Sequence, residues 1–358
     1  MIIFIITTSK IIIKTGENMI DTTVIKEFET RFVKLFENEV APKIKQFDFD
    51  RKREKEKIEK NSIWIYAFFG LIGLIYFAYV SMVQHQISVK VVANIVIWAV
   101  VIQKAYAYML KKQFEMKLKE RIMPVLMGAF GNFRWVKEEI ISLHEIAQSK
   151  MFKISPYSSK SDDDCFIGSY KDIPIKISES IIGNGQTSMS AVPKEFKFIY
   201  DMHNAVVTNS NSEKEQGYKG VFILLEIPKR FTGHTVVTIP EYKRAVPYDE
   251  VKLEDVEFSR QFYVGSTDQV EARYLLTTAF MQRFKNIQNI FGGKYITCSF
   301  LNRSLLIFVP TDSERDLFSI GSLDENVADP KQFGIMLKEI ISIFELIEEL
   351  KLYQNTGL

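Results

Sequence analysis

A short charged cluster in the C-terminal half of the chain holds the residues best suited to chemistry: Asp268, Glu271, Arg273 and Tyr274. Asp268 and Glu271 are three residues apart, so both carboxylates would lie on one side of a helix start. In that position they could bind a cation or orient a ligand. The alternative is structural, because acidic side chains near a helix N-terminus interact favourably with the helix dipole. We favour the structural alternative, with Arg273 pairing with a carboxylate at residues 254–255.

The sequence lacks the motifs of the common catalytic and metal sites. The four histidines are scattered, and Cys165 and Cys298 are far apart, so neither HExxH nor CxxC occurs. There is also no Walker A motif, GxGxxG or GxSxG. The run Asp162-Asp163-Asp164 lacks the alternating oxygen ligands of a calcium loop, and we interpret it as a solvated turn before a strand. We therefore predict no cofactor and no metal.

The composition argues against a nucleic-acid partner. The chain has 46 Lys and Arg residues against 44 Asp and Glu residues, a net charge of +2, so no global field attracts a polyanion. The 28 phenylalanines can supply an aromatic core. Two cysteines cannot form a framework of several disulfides, and their scarcity fits a reducing compartment.

Two apolar segments predict a hairpin of membrane-spanning helices. Residues 63–83 contain no charge and no polar face, and about 20 apolar residues suffice to cross roughly 30 Å of hydrocarbon. The second segment, residues 89–110, contains Asn94, Gln103 and Lys104. We expect Lys104 to reach a membrane face and Asn94 to hydrogen-bond to the first helix. A re-entrant or interfacial helix is the alternative for this segment, but a single span would separate the C-terminal region from the basic N-terminal segment.

Basic residues around the two apolar segments predict their orientation. Residues 51–60 and residues 104–121 each contain six Lys or Arg residues, whereas the connecting residues 84–90 contain one. Since basic residues stay on the cytoplasmic side, we predict a multi-pass protein with both termini in the cytoplasm. The same side chains could attract anionic lipid. We interpret these basic side chains mainly as signals that set the orientation of the membrane helices.

The start of the chain raises a separate question. Residues 1–14 have neither a basic segment before the apolar run nor a small-residue cleavage site, and they are too short to span a bilayer. We predict that Met19 is the true start and that residues 1–18 are a non-native extension.

Amphipathic helical patterns flank the predicted hairpin. The first lies within residues 19–62 and is interrupted at Pro42; the second runs through residues 111–150, where we expect Pro124 to cause a kink. We predict that the two apolar faces pack on each other as a short antiparallel stalk; a partner-binding coiled coil is the alternative. The apolar positions are Ile25, Phe28, Phe32, Leu35, Phe36 and Val40 in the first pattern, and Phe114, Leu118, Ile122, Leu126, Phe130, Phe133, Val136, Ile140 and Leu143 in the second.

Residues 151–358 predict an α+β domain with a mainly antiparallel sheet. Grouped strands precede two helices, a further hairpin and a last helix. Residues 183–217 are polar, and the sequence assigns them no role. The predicted strands are residues 164–170, 173–182, 219–227, 234–239, 295–301 and 304–309, with an extended stretch at 251–264. The predicted helices begin at Ser266 or Asp268, at Thr277 or Thr278, and at Asp329-Pro330.

Four segments in this region resemble a known family. They are DDDCFIGSYKDIPIKISE, GYKGVFILLEIPKRFTGHTVV, VKLEDVEFSRQFYVGSTDQVEARYLLTTAFMQRF and SFLNRSLLIFVP. In this order they resemble the bacterial DUF3137 family, a domain of unknown function, over roughly residues 28–350, with residues 266–277 as the most specific part. The resemblance implies a bacterial membrane protein with this layout, and we predict that it lies in the inner (cytoplasmic) membrane. It implies no activity, substrate or catalytic residue.

Three functions remain open from the sequence. The first is a membrane-anchored protein-binding or scaffold module, whose partners would be the lipid bilayer and a protein at the membrane. The second is an unrecognised membrane-associated hydrolase, because the members of a catalytic triad need not be neighbours in sequence. The third is a transporter or channel formed by an oligomer, although neither apolar segment carries a row of polar residues. The sequence leaves the activity, the partner and the oligomeric state open.

Overall fold

The computed structural model describes most of the chain in detail. The described residues are 22–84, 89–183, 217–311, 318, 320–324, 327 and 330–349. The predictions about the start at Met1 or Met19, and all but the first and last residues of the 183–217 segment, lie outside these ranges.

The N-terminal helices form a long antiparallel pair. The first helix passes into the second through short π and 3-10 segments around Pro42, because a proline ring has no N–H to donate to a continuous helix. This interruption was predicted from the sequence. The segments are α1 (Thr22–Leu35), the π turn Phe36–Val40, the 3-10 turn Ala41–Lys43, α2 (Ile44–Tyr79), the π turn Val80–Gln84, α3 (Val89–Met127) and the 3-10 turn Gly128–Phe130.

α2 and α3 are both long and apolar enough to cross a membrane. In the apolar stretch of each helix 6% of the residues are buried, so the apolar side chains point outward. Trp64 on α2 is 69% exposed and Trp98 on α3 is 58% exposed. A core helix of a soluble protein would bury such side chains.

Polar side chains join the two helices at the end of this apolar region that is nearer the α+β domain, here called the lower end. The Asn61 side-chain amide donates to the Tyr106 hydroxyl, and the Gln103 amide donates to Ser62 Oγ at 3.2 Å. Asn94, which we expected to bond across the pair, is exposed, and the described contacts include no such bond. The polar contacts that border the apolar region therefore lie at Asn61 and Ser62.

Outside these helices, the described residues form the predicted α+β fold around one antiparallel sheet. The eight strands lie in the order β1-β2-β3-β4-β8-β7-β5-β6. The strands are β1 (Arg134–Val136), β2 (Ser159–Tyr170), β3 (Ile173–Gly183), β4 (Tyr218–Glu226), β5 (Thr235–Thr238), β6 (Tyr263–Ser266), β7 (Thr297–Leu301) and β8 (Ser304–Pro310). The helices are α4 (Leu143–Gln148), α5 (Val256–Gln261), α6 (Gln269–Leu275), α7 (Thr278–Phe291) and α8 (Pro330–Glu349).

Several turns and helix caps that have local sequence signals form where predicted, whereas the predicted cap at Asp329 lies outside the described residues. The β2–β3 hairpin turns at Lys171 and Asp172, which have φ values of 47° and 61°. The β7–β8 hairpin turns at Asn302, with φ of 57°. The Thr277 side chain caps α7 by accepting from the Phe280 amide at 3.2 Å. Each signal depends on a residue that tolerates left-handed backbone or supplies a capping oxygen.

The predicted stalk is not a separate unit. The apolar faces of α1 and α3 do pack together, but they also belong to the main core, with α7, α8 and one face of the sheet. The Phe28 ring shows this, since its centroid lies 5.9 Å from Phe130, 6.0 Å from Tyr170 and 5.6 Å from Phe344. α1 and the lower half of α3 are therefore built into the α+β domain, and α2 contributes the buried side chain of Phe47. A smaller apolar cluster covers the opposite face of the sheet.

The predictions for two elements were wrong. The helical pattern was expected to continue to residue 150, but α3 ends at Met127 and Gly131, with φ of +75°, turns the chain into β1. β1 then pairs with β2, so that the bonds of the sheet replace helical bonds for its backbone. The extended stretch at 251–264 contains α5, because Asp255 accepts from the Phe258 amide at 2.8 Å and starts a helical turn.

Candidate functional site

Asp268 forms the cap of α6, as predicted from the sequence. Its Oδ1 accepts from the Val270 amide at 3.0 Å and the Glu271 amide at 2.9 Å, and its Oδ2 accepts from the Thr232 hydroxyl at 3.2 Å. The backbone hydrogen bond from Glu271 is the main reason that the pKa of Asp268 is lowered from its usual value. This carboxylate is therefore committed to the protein's own backbone.

Glu271 joins the helix start to the loop that precedes β5. Its carboxylate oxygens accept from the Thr232 amide at 2.9 Å and the Gly233 amide at 2.8 Å. The backbones approach so closely that a Cβ at Gly233 would lie 2.7 Å from Asp268 Cβ. Donors of the protein itself thus engage both carboxylates, which favours the structural interpretation.

Arg273 was expected to pair with a carboxylate at residues 254–255, and this expectation was wrong. Its guanidinium donates to two backbone carbonyl groups, Lys252 O at 3.4 Å and Gln269 O at 3.3 Å. Asp255 is unavailable for such a pair because its carboxylate caps α5. Within the ranges that the structure covers, no ion pair joins Arg273 to either carboxylate.

An open depression of about 410 Å³ lies beside the start of α6. Two of its apolar side chains are strongly exposed, Val270 at 62% and Tyr274 at 67%. The lining is formed by Lys229, Asp268, Val270, Glu271, Tyr274 and Leu275. Three of the four candidate residues thus share one surface, and Arg273 is outside its lining. This surface thus presents an exposed aromatic ring and an exposed branched side chain beside Lys229.

The structure also brings together a serine and a histidine that the sequence analysis missed. His234 Nε2 lies 2.9 Å from Ser299 Oγ and 3.2 Å from the carbonyl oxygen of Ser149. His234 Nδ1 lies 2.6 Å from the Tyr248 hydroxyl. His234 precedes β5 and Ser299 lies on the adjacent β7, so their proximity follows from a strand pairing that no local motif indicates.

This histidine is arranged for structure rather than for activating a nucleophile. A carbonyl oxygen can only accept, so Nε2 carries the proton that it donates to Ser149, and Nδ1 accepts from Tyr248. In that tautomer Nε2 cannot remove a proton from Ser299. Burial lowers the pKa of His234, and the Ser299 side chain is almost completely buried, where no substrate reaches it.

The run Asp162-Asp163-Asp164 is not the solvated turn that we predicted. It lies in β2 at a bulge in the pairing with β3. Asp164 is fully buried and accepts from Lys119 Nζ at 2.5 Å and from the Trp135 indole at 2.8 Å. Burial raises the pKa of Asp164 to about 6, although Lys119 acts in the opposite direction. This pair connects α3 to the sheet.

The described residues contain no group of three or more side chains of the metal-binding types that could hold an ion.

Comparisons with known proteins give a family for the C-terminal part of the chain. No curated protein and no solved structure matches the sequence. Residues 216–352, which begin just before β4 and extend through α8, match the family described as "Protein of unknown function (DUF3137)". The chain therefore carries a DUF3137 region, which confirms over these residues the resemblance drawn from the sequence.

Proposed function

We propose that this protein is a membrane-anchored module whose α+β domain binds a protein partner at the cytoplasmic face. One observation carries the proposal. The upper parts of α2 and α3 expose apolar side chains on their outer surfaces, while the lower part of α3 and the buried Phe47 of α2 belong to the core of the α+β domain. Such a hairpin would hold the domain rigidly against the membrane surface.

The positions of the polar cross-links support a bilayer boundary near Asn61. Residues 63–83 would span about 30 Å at 1.5 Å per residue, close to the thickness of the hydrocarbon core. Trp64 and Tyr66 lie just above the cross-links, Tyr106 belongs to one of them and Tyr108 lies just below. Aromatic side chains favour the membrane interface.

The charge distribution supports a cytoplasmic position for the domain. The two basic segments, residues 51–60 and 104–121, lie at the same end of the hairpin, next to the α+β domain. Lys and Arg residues that flank membrane spans favour the cytoplasmic side. We therefore propose an inner-membrane location, with the α+β domain on the cytoplasmic side.

Extraction and labelling test this arrangement. We expect the full chain to stay in the membrane pellet after carbonate washing. For sidedness, Ser88→Cys, between the two helices in sequence, should react with a membrane-impermeant thiol reagent in intact cells, whereas Tyr157→Cys should react only after permeabilisation. The native Cys165 and Cys298 are buried, so background labelling should be low. Release by carbonate would overturn the anchoring, and the reverse labelling pattern would overturn the sidedness.

The depression beside α6 supports protein binding over catalysis. It exposes Val270 and Tyr274 next to Lys229, whereas its carboxylates are engaged by backbone amides. The alternative of a membrane-associated hydrolase has no comparable support, because the serine and histidine that the fold brings together are enclosed. Exposed aromatic side chains of this kind often become the centre of a protein interface.

Site-specific photocrosslinking tests the partner-binding proposal. A photoreactive phenylalanine analogue would replace Tyr274, and a matched protein would carry it in place of Tyr157, which is also exposed. In native membranes we expect a discrete adduct with another protein from position 274 and none from position 157. Adducts of the chain with itself alone, or the same adduct from both positions, would contradict the proposal.

A further inference from the structure

A crevice lies between α2 and α3, directly below the polar cross-links that join these helices. It encloses about 150 Å³. Its floor is apolar and consists of the buried side chains of Phe47, Phe114 and Leu118. Its rim is polar and includes the exposed side chains of Arg53 and Lys117, one from each helix. The crevice therefore combines an apolar base with cationic walls.

The charges on the rim leave a positive excess. Asp50 lies 3.5 Å from Arg121, and Glu54 lies 2.7 Å from a lysine three residues further along α2. Both carboxylates of the rim are thus neutralised by cations. Within the described part of the chain, no carboxylate lies within ion-pair distance of Arg53 or Lys117. These two side chains are available to an anion from outside the chain.

The depth of the crevice matches the headgroup layer of the proposed bilayer. Leu110, at its upper end, is four residues beyond Tyr106, which corresponds to about 6 Å along α3. The headgroup region on each side of the hydrocarbon is about 5–8 Å thick. Because helix side chains tilt toward the helix N-terminus, Lys117 on α3 points back toward the membrane. Arg53 is long enough to extend in the same direction.

We propose that this crevice binds the phosphate group of an anionic phospholipid headgroup. The inference rests on the proposed membrane anchoring, and it adds a defined lipid site to it. Arg53 and Lys117 neutralise the phosphate, and Gln113 on the same rim supplies an amide donor. Basic pockets between membrane helices on the cytoplasmic side commonly hold such headgroups. A soluble phosphate ester offers the same charge, but the position of the crevice at the headgroup layer favours the lipid.

A lipid titration of the purified full chain in detergent tests the site. Phosphatidylglycerol is the probe, phosphatidylcholine is the neutral control lipid, and native mass spectrometry measures the bound fraction. We expect Arg53→Gln/Lys117→Gln to weaken phosphatidylglycerol binding by about 30-fold. The matched variant Lys60→Gln/Lys104→Gln removes the same charge nearer the membrane but outside the crevice, and it should leave this binding nearly unchanged.

Three outcomes would overturn the inference. Unchanged binding in the Arg53/Lys117 variant would remove the crevice as the site. An equal loss in the Lys60/Lys104 variant would indicate diffuse attraction to the basic segments. Binding of glycerol 1-phosphate as tightly as the lipid would identify a soluble ligand instead. Carbonate extraction of both variants separates these results from a failure of the anchoring, and equal thermal unfolding by circular dichroism shows that both variants are folded.

Discussion

Lys119 on α3 and Asp164 on β2 form an ion pair of 2.5 Å that is closed to solvent at both ends. The two residues are 45 positions apart in sequence, and Trp135 on β1 completes the set by donating its indole N–H to the same carboxylate. The pair is a buried charged connection between a helix of the apolar hairpin and β2. Lys112 and Asp163 form a second, more exposed one at 3.1 Å.

Removal of one member of this pair should destabilise the fold strongly. Lys119→Met leaves a buried carboxylate without its cation, and loss of one partner of a buried pair typically costs about 3–5 kcal/mol. The double variant Lys119→Met/Asp164→Leu removes both charges and should recover most of that loss. Urea denaturation of the chain in detergent, followed by tryptophan fluorescence, measures both effects. A double variant as unstable as the single one would show that the charges are not coupled.

The enclosed histidine should make stability depend on pH. The pKa of His234 is lowered, so below about pH 6.5 the unfolded chain binds more protons than the native chain. Stability from this group is fully present above pH 6.5 and is lost as the pH falls through the native pKa. The protonated ring would also lose its acceptor role toward Tyr248. His234→Gln should therefore weaken this dependence, measured as the difference in unfolding midpoint between pH 7.5 and pH 5.5. Parallel curves for the two proteins would contradict the assignment.

The carboxylate of Glu271 should contribute to stability through the loop that it holds. Glu271→Ala removes the acceptor of the Thr232 and Gly233 amides, which should cost about 0.5–1.5 kcal/mol because water can reach these partly exposed groups. Glu271→Gln keeps one acceptor oxygen and should lose less. Denaturant unfolding of the three proteins gives the order. If both variants were as stable as the wild type while an in vivo function was lost, the structural interpretation of this carboxylate would be wrong.

Substitution of Tyr274 should hardly change stability but should weaken contact with the partner. Its side chain is mostly exposed and caps nothing, so Tyr274→Ala should change the free energy of unfolding by less than about 0.5 kcal/mol. The same change should reduce photocrosslinking from position 270, on the same depression, to the partner. Tyr157→Ala is the matched control and should alter neither quantity. Undiminished crosslinking in the Tyr274 variant would place the partner elsewhere.

Local signals in the sequence were enough to predict several parts of this protein. An uncharged stretch such as residues 63–83, a turn at Asn302 and a cap at Thr277 each depend on neighbouring residues alone. Side-chain volume, backbone freedom and capping oxygens act within a few positions, so they can be read without knowledge of the fold. The α+β class followed from the order of such elements.

Only the tertiary structure decided how distant elements meet. Judged from their neighbours alone, three consecutive aspartates are expected to face solvent. The bulge in β2 instead turns Asp164 toward Lys119 on α3 and buries it. His234 meets Ser299 only because β5 and β7 are neighbours in the sheet. The crevice at Arg53 likewise exists only where α2 and α3 pack together. These contacts depend on chain topology, which periodicity and spacing do not encode, because the residues involved are tens of positions apart.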